Sequence, residues 1–119
     1  MKKIIAVDVD DVVANLVHEW LRLYNFEYGD TLSEEDIKTW SIGSYTRIGD
    51  EMYEYLNIPE LYNRVFPIVD SRSGVDTLRR LGFRVVFVTA SNTKQSWKKY
   101  EWLFRYGYLH SRNDYVEAV

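Results

Sequence analysis

An α/β domain built on a parallel sheet is the fold this sequence predicts, and three observations carry the prediction. Short apolar runs at residues 4–7 and 85–88 end abruptly in Asp8 and Thr89, helical periodicity fills the stretches between and after them, and another β-branched run opens at Tyr115. Continuous apolar runs of this length suit strands buried on both faces of a parallel sheet. Strands alternating with helices give the α/β class. Right-handed crossovers set the strand ends on one sheet edge, outside which the ligands of open α/β sheets bind. Asp8, Asp10 and Thr89 are therefore expected to converge.

The first strand is read over residues 3–8. Val12, Val13, Leu16, Val17, Trp20, Leu21 and Tyr24 then recur at helical spacing and predict an amphipathic helix from residue 12 to about 24. Residues 25–70 hold no strong strand pattern. Thr31 or Ser33 can cap a helix before Glu34, Glu35 and Asp36, and short helices are expected over 50–56 and, opened by Pro59, over 59–65. This stretch reads as a small helical insert. Ser73 and Asp76 have capping-box spacing at the head of a helix that Gly82 stops. Residues 84–89 read as the second strand. Ser91, Asn92 and Thr93 can cap a helix from about 94 to 106, closed by Gly107, and residues 115–119 begin a third strand.

With 119 residues, 46% of them hydrophobic and 28% charged, the chain is expected to form one domain around one core. Its net charge of −3 gives no reason to expect a nucleic-acid polymer as partner. It has no cysteine, hence neither a disulfide framework nor a thiolate zinc site, which suits a cytoplasmic location. No apolar run approaches the roughly 18 residues of a membrane span. Aromatic residues reach 16%. They can fill the core or stack on the base of a ligand.

The chemistry concentrates in Asp8-Val9-Asp10-Asp11, which sets three carboxylates in four residues just past a strand. Like charges this close repel, and a bound divalent cation is the simplest compensation. Oxygen ligands favour Mg²⁺ over a softer metal. The competing reading is an acidic loop that caps the following helix. The arrival of Thr89 at the same edge favours the functional one.

Asp8-Val9-Asp10-Asp11-Val12 resembles the Asp-x-Asp-x-Val first motif of the haloacid dehalogenase superfamily, and Val85 to Thr89 resembles its second motif, an apolar strand ending in Thr or Ser. More narrowly, Asp8 to Leu16, Trp40, Phe66-Pro67, Gly74, Thr89-Ala90-Ser91 and Lys99 to Trp102 are similar to the 5′(3′)-deoxyribonucleotidases. The resemblance implies a Rossmannoid three-layer core, residues 1–24 and 67–119, with a helical cap insert at about 25–66. It implies a Mg²⁺-dependent phosphatase acting on deoxynucleoside monophosphates through an aspartyl-phosphate. Asp8 would be the nucleophile and Asp10 the acid and base. The Asp8 carboxylate and the Asp10 carbonyl would hold Mg²⁺. Thr89 would bind a phosphoryl oxygen, and Lys99, with Lys94 and Lys98 as competitors, would neutralise Asp8 and the phosphoryl charge. Ala90, Ser91 and Trp40 would line the substrate, Trp40 by stacking on the base or shielding the site from water, against a role in packing the insert.

Two departures from the pattern matter. Asp11 stands where the family usually has Gly, and Asp tolerates the left-handed backbone that such a turn needs. The family's last motif, a strand ending in paired acids that completes the Mg²⁺ site, has no counterpart before Val119. Asp114 precedes the third strand, and with Asp70 it is the first alternative ligand to test. A weakly active or non-catalytic phosphate-binding remnant is therefore the rival expectation, with a phosphorylation-dependent receiver domain behind it. Without the flanking strand, residues 4–7 are left at a sheet edge, which invites pairing with a second copy.

Overall fold

The apolar runs form a three-stranded parallel sheet in the order β1-β2-β3, with β1 Ile4–Val7, β2 Arg84–Ala90 and β3 Tyr115–Ala118. The computed structural model describes residues 2–90 and 96–118. Ile4 pairs with Arg84 and Val7 with Phe87, while Phe87 pairs with Tyr115 and Ala90 with Ala118, so the carboxyl ends of β1 and β2 lie side by side. In the central strand, Val85, Val86, Phe87 and Thr89 are all buried, as the unbroken apolar run requires. Strand β1 departs from the expectation of burial on both faces: Ile4 is 60% exposed. Among the described residues β1 pairs only with β2, and this edge position leaves its outer side open.

Helix α1, Leu16–Tyr28, starts four residues later and ends four residues later than its periodicity suggests. Residues 9–14 instead fold into a tight loop, in which the amides of Val12, Val13 and Ala14 all donate to the Val9 carbonyl at 3.3, 3.0 and 3.0 Å. That loop is pinned to the far end of the insert, where Asn15 N–H donates to Phe66 O at 2.9 Å and Ile68 N–H to Val13 O at 2.8 Å. Val13 is apolar because it enters the core through this loop, while Val12 points outward at 47% exposure. The helix stops at Gly29, whose φ of +64° places it in the left-handed region that glycine adopts without strain.

The insert is helical as expected, in the tighter 3₁₀ form, over Glu34–Asp36, Ile42–Tyr45, Gly49–Asn57 and Pro59–Arg64. Ser33, not Thr31, heads its first turn, and its N–H donates to the Asp36 carboxylate at 2.9 Å. The insert is held on α1 by apolar packing of Trp20, Leu21 and Tyr24 against Ile42, Met52 and Tyr55. Polar ends are matched there: Trp20 Nε1–H donates to Met52 O at 2.9 Å, and Arg47 N–H donates to the Tyr24 hydroxyl at 2.9 Å. The last turn of the insert leaves this cluster. Leu61, Tyr62 and Val65 pack with Val9, Val13, Val85, Phe87 and Trp102 in the main core.

Helix α2, Ser71–Arg80, begins two residues before the capping box expected at Ser73. Asp70 takes the N-cap position with φ +68°, Ser73 lies inside the first turn and donates to Asp70 O at 3.0 Å, and Asp76 pairs with Arg72 instead of reaching back to Ser73. The described part of the next helix, α3, is Ser96–Arg105, and the cap expected at Ser91 to Thr93 and the start at Lys94 lie outside the described residues. Trp102 anchors α3: it is 1% exposed, its Nε1–H donates to Val65 O at 2.8 Å, and its ring stacks on Tyr108 at 5.5 Å. Burying a side chain of this size contributes about 2–3 kcal/mol. No described helix is long and apolar enough to cross a membrane.

Candidate active site

The loop after β1, the end of β2 and the first described turn of α3 bring Asp10, Thr89, Ala90 and Lys99 into one place. Lys99, on α3 and only 4% exposed, carries its ammonium to three acceptors: Asp10 Oδ2 at 2.6 Å, Thr89 Oγ1 at 3.0 Å and Ala90 O at 2.7 Å. An ammonium has three protons, so a buried lysine is fully satisfied by this set. Thr89 is 2% exposed at the end of the central strand. Lys98, the neighbouring competitor, is only half-buried, which singles out Lys99 as the interior cation among the described lysines. Ser91 and Lys94 lie outside the described residues.

The three acids of the loop are separated by their surroundings. Asp8, at the tip of β1, is exposed, and its one hydrogen bond among the described residues is the Val9 N–H on Oδ1 at 2.7 Å. Asp10 is held at both oxygens, Oδ2 by Lys99 and Oδ1 by the Tyr62 hydroxyl. Asp11 has φ +61°, so the turn keeps the left-handed backbone despite the lost glycine. Its carboxylate accepts from Val17 N–H at 3.0 Å and caps α1. The helix-capping reading is thus correct for Asp11. Burial of its carboxyl, with the charges of Asp10, Glu34 and Asp8 nearby, pushes Asp11 above the usual carboxylate range, and the Val17 N–H partly opposes this.

Tyr62 is a site residue that sequence reasoning missed. It is 2% exposed, and burial, followed by the charge of Asp10, holds its phenol far above the ordinary range, so it stays a donor. Its position in the chain, 52 residues from Asp10, carries no local signal of the contact. The lysine pairing also differs from expectation. Among the described residues Lys99 neutralises Asp10, whereas the resemblance set it beside Asp8.

Trp40 does not pack into the insert. It is 100% exposed and stands at the rim of an open cleft of about 710 Å³ lined by Asp11, Val17, Trp20, Lys38 and Tyr53. Asp11 places this cleft beside the acidic loop. Among the described residues no three His, Cys, Asp or Glu side chains gather into a metal-holding group. Asp114 is buried and paired with Arg84 at 2.8 Å, at the opposite end of β2 from Thr89, and Asp70 sits at the head of α2. What the loop offers a cation is the open oxygen of Asp8 and the Asp10 carbonyl, which accepts no hydrogen bond among the described residues. Both are hard oxygen donors of the kind Mg²⁺ takes alongside several waters. The receiver alternative fails on the sheet, because the central strand ends in Thr89-Ala90 and carries no aspartate there.

Comparison with known proteins gives the chain a family. Residues 2–116 match the family described as 5′ nucleotidase, deoxy (pyrimidine), cytosolic type C protein. The chain is 35% identical over 107 residues to a 5′(3′)-deoxyribonucleotidase of Bacillus subtilis (strain 168), and to the same degree to one of Bacillus phage SPbeta. It is 27% identical over 104 residues to a 5′(3′)-deoxyribonucleotidase of Clostridium acetobutylicum. These alignments take in 89%, 89% and 86% of this chain but 62%, 62% and 57% of the relatives, so the chain spans less than two thirds of their length. Two strand ends, a buried lysine between them and the match over residues 2–116 lead to one conclusion: the chain belongs to the 5′ nucleotidase, deoxy (pyrimidine), cytosolic type C family, within the haloacid dehalogenase superfamily.

Proposed function

We propose that this chain is the catalytic part of a Mg²⁺-dependent phosphatase that hydrolyses deoxynucleoside monophosphates, drawn from the cytoplasmic pool, through a phosphoryl-aspartate on Asp8. The observation that carries the reading is the Asp10–Lys99–Thr89 cluster at the strand ends, beside the exposed carboxylate of Asp8. Asp8 attacks phosphorus, and the bond to the ester oxygen breaks as Asp10 gives that oxygen a proton. A water then attacks the phosphoryl group, Asp10 takes the water's proton, and the bond to Asp8 breaks. Lys99 and Thr89 supply the N–H and O–H donors nearest to these oxygens, and fixed donors at developing charge are worth several kcal/mol in such steps, about 3 or more for one donor. Mg²⁺, held by the Asp8 carboxylate and the Asp10 carbonyl, would add charge neutralisation at the phosphoryl oxygens. Bound inorganic phosphate without turnover, in the presence of Mg²⁺, would instead support the non-catalytic reading.

The cleft under Trp40, lined in part by Asp11, offers room for a nucleoside. A fully exposed indole at its rim suits stacking on a base, an interaction worth about 1–3 kcal/mol. Trp40→Ala is therefore expected to raise KM for a deoxynucleoside monophosphate about tenfold or more and leave KM for a small aryl phosphate unchanged. Equal KM values for both variants on the nucleotide would remove Trp40 from the substrate site. Among the described residues no strand pairs with the outer side of β1, which supports pairing with a second copy of the chain. Sedimentation is expected to give a dimer at micromolar concentration, and a monomer mass there would count against it.

A further inference from the structure

We infer that Tyr62 is a positioning residue for Asp10: by donating to Oδ1 from the core side, it leaves Oδ2 as the oxygen that carries the proton in both chemical steps. The inference rests on the phosphatase reading and adds to it an atom and a residue. Asp10 Oδ2 shares Lys99 Nζ with Thr89 Oγ1 and Ala90 O, so Oδ2 faces the point where the two strand ends meet. Oδ1 faces the other way, toward the 3₁₀ turn Pro59–Arg64, and is taken by the Tyr62 hydroxyl. Once Lys99 turns to an incoming phosphoryl group, Asp10 loses its partner at Oδ2. Tyr62 then remains as the one described side chain that fixes the carboxyl plane.

The frame around that contact is stiff. Tyr62 packs in the main core with Leu61 and Val65, and Val65 O accepts the Trp102 Nε1–H from α3, the helix that also carries Lys99. The two partners of Asp10 are thus tied to each other behind it. A phenol that can only donate to a carboxylate cannot take the reaction's proton, so its effect runs through the orientation of Asp10. In the first step the proton leaves Asp10 Oδ2 for the ester oxygen. In the second, a proton of the attacking water returns to Oδ2, and at no point does the Tyr62 proton transfer.

Tyr62→Phe keeps the ring and removes the hydroxyl. On a deoxynucleoside monophosphate, kcat is expected to fall about 10- to 100-fold, a part of the roughly 10²- to 10⁴-fold that general acid–base catalysis supplies, with KM changed less than twofold. On a nitrophenyl phosphate, whose leaving group needs no acid, the first turnover is expected at the wild-type rate. Steady-state release is then slow, and acid-quenched mass spectrometry should find phosphoryl-Asp8 accumulated. A loss shared equally between burst and steady state, or no loss at all, would overturn the role. A measurement free of turnover accompanies it: unfolding constants of Tyr62→Phe, Asp10→Ala and the double variant should be coupled by about tenfold or more, as for a hydrogen bond to a charged group. Additive effects would overturn the contact itself. A wild-type chain with neither turnover nor phosphoryl-Asp8 on any ester would overturn the phosphatase reading, and with it the role of Tyr62, while the coupling would still report whether Tyr62 holds Asp10.

Discussion

Replacing Asp8 by Asn is expected to abolish phosphate-ester hydrolysis, by at least about 10³-fold in kcat, without moving the melting temperature. Loss of the attacking group in a two-step displacement removes the covalent route, and effects of this size or larger follow removal of enzymic nucleophiles. The fold should not notice. Asp8 is exposed, its one described hydrogen bond is to the next residue's N–H, and the amide oxygen of Asn can accept that same bond. The mass of the peptide containing residue 8, after acid quench with substrate, should show a phosphoryl group in the wild type and none in Asp8→Asn. Phosphorylation of another residue, or activity that survives the substitution, would refute the assignment of the nucleophile.

Lys99→Met should be costly in both stability and activity. The ammonium is 4% exposed and serves Asp10 Oδ2, Thr89 Oγ1 and Ala90 O. Met keeps the apolar stem but leaves three acceptors facing a thioether. Breaking a buried pair by removing one partner typically costs about 3–5 kcal/mol. The Asp10 side chain keeps 24% exposure and can recruit water, which argues for the lower end, about 3 kcal/mol in a denaturant titration. Activity should fall about 10²- to 10³-fold, since a fixed cation at developing phosphoryl charge is lost. Lys99→Arg should not restore it, because a planar guanidinium cannot point its donors at three acceptors around one nitrogen. A variant with wild-type stability and turnover would show that the ion pair is incidental.

Much of the fold and part of the site are legible in the residues themselves. The apolar runs before Asp8 and Thr89 locate β1 and β2, and their parallel pairing follows from the class. The helical character of the insert can be read from its short periodic segments, though not its 3₁₀ form. Lys99 ranks above Lys98 only through a resemblance, and burial settles which of those two enters the interior.

What the sequence by itself determined is the set of strands, the order of elements and the placing of Asp8 and Thr89 at the carboxyl ends of neighbouring strands, because these depend on periodicity and chain connectivity, which are local properties. What only the tertiary structure decided is how contacts between distant residues redirect that local pattern. The Val12-Val13 stretch has helical spacing, yet it forms a loop because Val13 and Asn15 find backbone partners at Ile68 and Phe66. Ser73 has capping-box spacing with Asp76, yet Asp76 goes to Arg72 and the helix starts earlier at Ser71. The three acids look alike in sequence, yet Asp8 is open, Asp10 is locked between Lys99 and Tyr62, and Asp11 caps a helix. Each outcome turns on a partner that folding delivers from far along the chain. A carboxylate's role depends on the donors that reach it, and those donors are fixed only when the core closes.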